Sequence, residues 1–134
     1  MTAGACESLP VTTPDHVVIV RQAVRRHAVA LGFSLVDQTK IVTAASELAR
    51  NALIHGGGGE ARIESLADGA RKGLRLTFED HGPGIPDIER AMKDGFTTGV
   101  GLGLGLSGAK RLSNDFHIAS TPGVGTRVVI ARWK

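Results

Sequence analysis

Residues 46–52 read Ser-Glu-Leu-Ala-Arg-Asn-Ala, and four consecutive glycines follow at positions 56–59. Glu47 and Asn51 are four residues apart, so a helix places their carboxylate and carboxamide on one face, one turn apart. The apolar residues between them can bury the opposite side of that helix, and the glycines end it. A carboxylate and a carboxamide presented together can serve as a base and a metal ligand, although an isolated pair is also typical of a polar helix face.

The composition predicts a globular protein with an aliphatic core. At 134 residues, 42% apolar and 22% charged, the chain can bury a core within one domain over 1–134. It has four Phe, one Trp and no Tyr, but 18 clustered glycines, which favour close approach of the backbone to a ligand. The formal net charge is only +3, and the scattered Lys and Arg residues argue against nucleic-acid binding.

The cysteine content and the absence of long apolar segments indicate a cytoplasmic location. Cys6 is the only cysteine, so an internal disulfide is excluded and a reducing compartment is favoured. No segment is long and apolar enough for a membrane helix, and the start of the chain has no signal-peptide pattern. We therefore expect no membrane partner.

Two helices are predicted in the N-terminal half. The first begins with Thr13 as N-cap and Pro14 in the first helical position, and it ends at Gly32. The second begins at Ser34, with Asp37 three residues later, and continues through the Glu47 segment. The other predicted elements are an irregular segment (1–8), an edge strand (9–12), two strands (61–67 and 74–79), a short helix (87–92), a mobile loop (93–105), a helix (106–113) and two closing strands (116–121 and 126–133).

This order of elements predicts the fold class. Consecutive strands joined by short turns indicate a mixed, mostly antiparallel sheet. The helices must then cover one face of that sheet, which gives a two-layer α/β sandwich.

A second group of residues follows the predicted strand 74–79. It reads Asp80-His81-Gly82-Pro83-Gly84, where a carboxylate could accept a hydrogen bond from an exocyclic amine such as that of adenine. Gly82 and Gly84 would let the backbone approach a flat base closely. A tight turn without a ligand is the alternative.

A third group is the glycine-rich run that leads into the predicted helix 106–113. Glycines alternate with other residues from Gly99 to Gly105, and the backbone N–H groups of such a loop can bind phosphates. The run lacks the Lys-Ser/Thr ending of a Walker A loop and does not follow a strand within a βαβ unit. A flexible glycine hinge is the alternative.

The three groups in this order, Glu-x-x-x-Asn, Asp-x-Gly-x-Gly and Gly-x-Gly-x-Gly, resemble the nucleotide-binding motifs of the GHKL ATPase/kinase superfamily, which has the Bergerat fold. The resemblance implies that ATP and Mg²⁺ bind, with Asn51 as the metal ligand and Glu47 as the general base. Asp80 would bind the adenine amine, and Thr126 would support it. The other nucleotide-binding residues that it implies are Gly82, Gly84, Gly101, Gly103, Gly105 and Leu106.

Within that superfamily, the chain is more similar to the stand-alone Ser/Thr kinases of bacterial partner-switching systems. Segments 47–51, 79–87 and 103–112 look especially like those of the stressosome switch kinases. The resemblance implies that it phosphorylates a STAS-domain protein substrate and, once released, activates a PP2C-type phosphatase. His81 departs from the uncharged polar residue usual in those kinases, which would alter the edge of the adenine pocket.

Two other functions remain open at this point. In the first, the chain is an anti-sigma factor that sequesters a sigma factor and is counteracted by a STAS protein. In the second, it is a detached histidine-kinase catalytic domain, which would need a separate phosphoacceptor domain. A homodimer is compatible with each of these functions.

Overall fold

A five-stranded antiparallel sheet and three helices make up the part of the chain that the computed structural model describes, which is residues 2–85, 87, 88, 92 and 105–134. The elements in chain order are β1 (Thr2–Val11), α1 (Pro14–Ala30), α2 (Leu35–Ile54), β2 (Gly59–Asp68), β3 (Arg71–Asp80), α3 (Gly105–Arg111), β4 (Asp115–Thr121) and β5 (Gly125–Trp133). Half of the predicted short helix 87–92 (residues 89–91) and all of the predicted loop 93–105 except Gly105 lie outside the described residues.

The strand order in the sheet is β1-β2-β3-β5-β4, and neighbouring strands are antiparallel. Because β5 inserts between β3 and β4, the ends of β3 and β4 and the start of β5 lie close together. The predicted α/β sandwich with a mostly antiparallel sheet is therefore confirmed.

The prediction for the N-terminus was wrong. Residues 1–8 were expected to be irregular, but β1 begins at Thr2 and pairs with β2 from Thr2 opposite Ala67 to Val11 opposite Gly59. The pairing supplies main-chain hydrogen bonds that need no periodicity in the sequence. Glu7 also ties β1 to α1, because its carboxylate lies 2.6 Å from the Arg26 guanidinium and 2.9 Å from His27 Nε2.

The helix boundaries follow the predicted capping residues. The Thr13 side chain accepts a hydrogen bond from the His16 N–H, and the Ser34 side chain accepts one from the Asp37 N–H. Gly32 follows α1 with a φ of +83°, which suits glycine.

No helix within the described part of the chain has the length and apolarity needed to cross a membrane.

Helix α2 is oriented by its apolar side. Ile41, Ala45 and Leu48 are buried and form one hydrophobic core with Leu76 and Phe78 of β3. Burial of a side chain the size of Leu48 contributes about 1.5–3 kcal/mol to the stability of the fold. A rotation of α2 about its axis would lose this contribution, so its orientation is strongly determined.

The other face of β3 is less exposed than its alternation predicts. The alternation of apolar and polar residues along β3 predicts that Arg75, Thr77 and Glu79 are in contact with water, but Thr77 is buried. It lies opposite Arg62 of β2 and Val129 of β5, so neighbours on both sides of this central strand cover it.

Arg132 of β5 joins the two layers. Its Nη2 donates to Asp37 Oδ1 at 2.7 Å and its Nη1 donates to the Leu112 carbonyl at 3.0 Å, which connects β5 to the first turn of α2 and the end of α3. The two charged side chains are only 13% and 27% exposed. The hydrogen bond from Arg132 is the main reason that the pKa of Asp37 lies below its usual range.

We predict that Asp37→Asn lowers the free energy of unfolding at pH 7 by about 1–2 kcal/mol, because the charge-assisted hydrogen bond to Arg132 is lost. A lowered folded-state pKa means that the carboxylate stabilises the fold above its unfolded-state pKa, near 3.9, and that this contribution disappears as the pH falls through the lower folded-state value. Urea unfolding between pH 7 and pH 3 should show the difference between wild type and variant shrinking.

The control is Asp68→Asn, which changes an exposed aspartate at the end of β2. It should have little effect on stability at pH 7. If Asp37→Asn were as stable as wild type at pH 7, or if the difference between them did not depend on pH, the role assigned to this pair would be wrong.

Candidate functional site

Glu47 and Asn51 lie on the side of α2 that is not packed in the core. The Glu47 side chain is 13% exposed, and its Oε1 accepts a hydrogen bond from Arg50 Nη1 at 3.3 Å. The Asn51 main-chain carbonyl accepts hydrogen bonds from the N–H groups of His55 at 2.9 Å and Gly56 at 3.3 Å. These bonds close the end of the helix one turn beyond the Asn51 side chain.

Asp80 is the last residue of β3. It lies between Gly59 of β2 and Thr126 of β5 in the strand register, and it is buried. Its Oδ1 accepts a hydrogen bond from the Gly82 N–H at 3.0 Å, so the carboxylate is turned toward the loop that follows the strand. A buried carboxylate fixed in this way can accept a hydrogen bond from an exocyclic amine.

Glycines bring the end of α2 against Asp80. A Cβ atom on Gly56 would lie 2.6 Å from Asp80 Oδ2, and one on Gly82 would lie 2.6 Å from Gly56 Cα. A Cβ atom on Gly125 would collide with the Asp80 carbonyl oxygen and lie 2.9 Å from His81 Cα. Only residues without side chains allow these three segments to pack so closely.

Ser120 of β4 links the loop after Asp80 to β5. Its hydroxyl accepts a hydrogen bond from the Ile85 N–H at 2.7 Å, lies 2.8 Å from the Thr126 hydroxyl and donates to the Gly125 carbonyl at 3.3 Å. Thr126 is opposite Asp80 in the register, and this hydroxyl contact is with Ser120. Its support of Asp80 stays a prediction.

The glycine-proline loop 81–85 packs against the β4–β5 turn. Gly84 has a φ of +80°, and a Cβ atom there would lie 2.6 Å from the Thr121 carbonyl oxygen. The Pro83 carbonyl accepts a hydrogen bond from the Gly123 N–H at 2.9 Å. Gly82 and Gly84 therefore lie where a side chain would overlap with backbone, and their lining of a flat base stays a prediction.

Helix α3 begins at the end of the glycine-rich run and packs against α2. Gly105 has a φ of +51°, and both Gly105 and Leu106 are buried. Gly101 and Gly103, which were predicted to close over the phosphates, lie outside the described residues. Of the glycines in this run, the structure thus describes Gly105, which is the first residue of α3.

Three residues of this site were not found from the sequence. Gly56 was interpreted only as a helix terminator, although it also makes room for Asp80. Ser120 carries no pattern that distinguishes it from other strand serines. Arg50 was given no role from the sequence, but its guanidinium is hydrogen-bonded to Glu47. The i, i+3 spacing of the two residues is the signal that could have revealed this contact.

Comparison with known proteins defines the class. The model for the histidine kinase-, DNA gyrase B- and HSP90-like ATPase family matches residues 36–134, which include Glu47, Asn51, Asp80 and Thr126. The chain belongs to this family. Membership supports ATP as the nucleotide that the chain uses.

The chain is also similar to individual proteins of known name. The chain is 48% identical over 123 residues to the serine/threonine-protein kinase RsbT of Bacillus subtilis (strain 168), an alignment that covers 92% of each protein. It is 32% identical over 118 residues to the anti-sigma F factor of Thermoanaerobacter sp. (strain X514), covering 84% of this chain and 82% of that protein.

A solved structure of the RsbU and RsbW domains of Rv1364c from Mycobacterium tuberculosis has the same fold. It superposes with a TM-score of 0.67 at 20% identity, covering 98% of this chain and 33% of that one.

We predict that Gly56→Ala weakens ATP binding by about tenfold or more, or about 1.4 kcal/mol, because the added methyl group displaces the Asp80 carboxylate. The dissociation constant can be measured by titration with a fluorescent ATP analogue. Gly57→Ala is the matched control: a Cβ atom there meets nothing within 4 Å, although its φ of +72° strains any residue other than glycine.

Gly57→Ala should therefore lower the melting temperature but leave the ATP affinity of the folded protein near that of wild type. Equal affinities for Gly56→Ala and wild type would show that the packing of Gly56 against Asp80 does not determine nucleotide binding.

Proposed function

We propose that this chain is an ATP-dependent protein serine/threonine kinase that acts as a switch in a bacterial partner-switching pathway. The observation that carries the proposal is the packing of Gly56, at the end of the helix with Glu47 and Asn51, against the Asp80 carboxylate. It brings a possible base and metal ligand to the same end of the sheet as a possible adenine-binding group. The similarity to a serine/threonine kinase over 92% of both chains supports the same conclusion.

The adenine end of the site is Asp80 with its surrounding glycines. Its carboxylate accepts a hydrogen bond from the exocyclic amine, while Gly82 and Gly84 line the plane of the base. Thr126, opposite Asp80 across the β3–β5 pair, stabilises this arrangement together with Ser120. His81 is exposed and borders the pocket without entering the hydrogen bonds of Asp80 described above.

Asn51 would hold Mg²⁺ through its carboxamide oxygen. The described residues contain no group of three or more His, Cys, Asp or Glu side chains that could bind a metal. This fits an ion that takes one or two ligands from the protein and the rest from phosphates and water. When bound, Mg²⁺ supplies neutralisation of the negative charge on the phosphates.

Glu47 is the proposed general base. The acceptor hydroxyl of a Ser or Thr attacks the γ-phosphorus, the bond from that phosphorus to the β,γ-bridging oxygen breaks, and ADP leaves. Glu47 takes the hydroxyl proton as the new P–O bond forms. Gly101, Gly103, Gly105 and Leu106 would close over the phosphates and exclude water.

The acceptor hydroxyl comes from a second protein, and we assign it to a STAS-domain partner. Once released from that partner, the chain would bind and activate a PP2C-type phosphatase. The second candidate function is sequestration of a sigma factor, which is favoured by the 32% identity to an anti-sigma F factor.

We expect the purified protein to phosphorylate a candidate STAS protein on Ser or Thr in the presence of ATP and Mg²⁺, and Glu47→Gln to lower turnover by about 100-fold or more, because the variant cannot accept the proton. Its ATP affinity should stay close to that of wild type. Transfer is measured with labelled ATP, and the modified residue is mapped by mass spectrometry.

Glu60→Gln, which changes an exposed carboxylate on β2, is the control and should transfer phosphate normally. Undiminished transfer by Glu47→Gln would remove Glu47 from the role of base. Acid-labile phosphohistidine on the acceptor would identify a histidine kinase instead. Capture of a sigma factor, with no transfer to any STAS protein, would favour the anti-sigma function.

Asp80→Asn should weaken ATP binding itself by about 10- to 100-fold, because a charged acceptor facing the adenine amine is replaced by a neutral group. Equilibrium binding of ATP measures this without any acceptor protein. Glu79→Gln removes the neighbouring exposed carboxylate and should leave affinity unchanged. Equal affinities for Asp80→Asn and wild type would exclude Asp80 as the adenine-binding group.

A further inference from the structure

Arg50 lies beside the proposed base on the side away from the proposed metal ligand. With 3.6 residues per turn, Asn51 is about 40° around the helix from Glu47 in one direction, and Arg50 is about 60° in the other. Glu47 therefore has a carboxamide on one side and a guanidinium on the other.

The Glu47 carboxylate interacts with the guanidinium. Arg50 Nη1 donates to Glu47 Oε1 at 3.3 Å, and the two side chains are 35% and 13% exposed. One of the five N–H donors of Arg50 makes this bond, so the contact leaves several donors for other groups. The more buried member of the pair is the carboxylate.

Glu47 has an alternative partner four residues along the helix. A carboxylate at one position and a carboxamide at i+4 are close enough to hydrogen-bond on a helix surface. Such a bond between Glu47 and the Asn51 amide would turn the base toward the metal ligand and occupy both groups with each other. A cation at position 50 competes for the same carboxylate.

We propose that Arg50 is a positioning residue for phosphoryl transfer: it draws the Glu47 carboxylate away from Asn51, so that the base faces the acceptor hydroxyl and Asn51 stays available to the metal ion. The inference rests on the proposed function, in which Glu47 is the general base of phosphoryl transfer. Arg50 contacts neither the nucleotide nor the acceptor in this role and acts through Glu47.

A purely structural ion pair would behave differently. A pair at i, i+3 on a helix surface stabilises the helix only slightly, so its loss would lower the melting temperature by no more than about 3 °C and would leave turnover unchanged. A positioning residue instead lowers turnover while nucleotide affinity and stability are retained. Kinetics and stability together therefore separate the two roles.

The experiment compares wild type, Arg50→Met and Arg50→Lys in transfer from labelled ATP to the STAS acceptor, together with ATP affinity and melting temperature. We expect Arg50→Met to lower kcat about tenfold or more, with ATP affinity within about twofold of wild type. Arg50→Lys should recover much of kcat, because an ammonium group can still pair with Glu47. Lys40→Met, which removes an exposed cation near the other end of α2, should match wild type.

Arg50→Met in the Glu47→Gln background tests whether Arg50 acts on kcat through Glu47. Arg50→Met should lower the residual transfer of that variant by less than twofold, because the carboxylate that Arg50 holds is already gone. An unchanged kcat in Arg50→Met, an equal loss in both backgrounds, or a loss of ATP affinity would overturn the inference. If wild type itself transferred no phosphate, the proposed function would fail and this inference with it.

Discussion

The close packing of three chain segments around Asp80 is the constraint on which the site depends. The end of α2, the loop after β3 and the start of β5 meet there, and each contributes a glycine where a Cβ atom would overlap with a neighbour. A buried carboxylate must be surrounded by groups that keep it in one orientation, and here the Gly82 N–H does so. The same packing connects the sheet to the helix that carries Glu47 and Asn51.

Helix α2 serves the core and the site at once. Its buried aliphatic side determines its rotation, because a shift of one residue would turn the helix by about 100° and expose side chains such as Ile41 and Leu48. The opposite side then presents Glu47 and Asn51 in a defined direction. Arg132 adds a second restraint at the first turn of the helix through Asp37. The direction of the Glu47 and Asn51 side chains is thus determined by packing and hydrogen bonds at other positions of the helix.

The chain belongs to an ATPase family whose chemistry depends mainly on positioning and on neutralisation of charge. A small domain is sufficient for such chemistry, since the nucleotide brings the phosphoryl group and a second protein brings the hydroxyl. Under the proposed function, the choice between a kinase substrate and a sequestered sigma factor would depend on surfaces outside the nucleotide site. This explains how proteins named as a kinase and as anti-sigma factors can both be similar to one chain over most of its length.

Local sequence was sufficient for the helix caps at Thr13 and Ser34, the buried side of α2 and four of the five strands, because each of these depends on residues within a few positions of one another. The order of the three motifs along the chain was sufficient for the family. The tertiary structure alone decided the length of β1, the hydrogen bonds of Ser120 and the packing of Gly56 against Asp80. Those features depend on partners far apart in sequence, such as Ile85 and Ser120, which are separated by 35 residues. A strand gains its hydrogen bonds from whichever neighbour the fold supplies, and a glycine reveals what it makes room for only when that neighbour is in place.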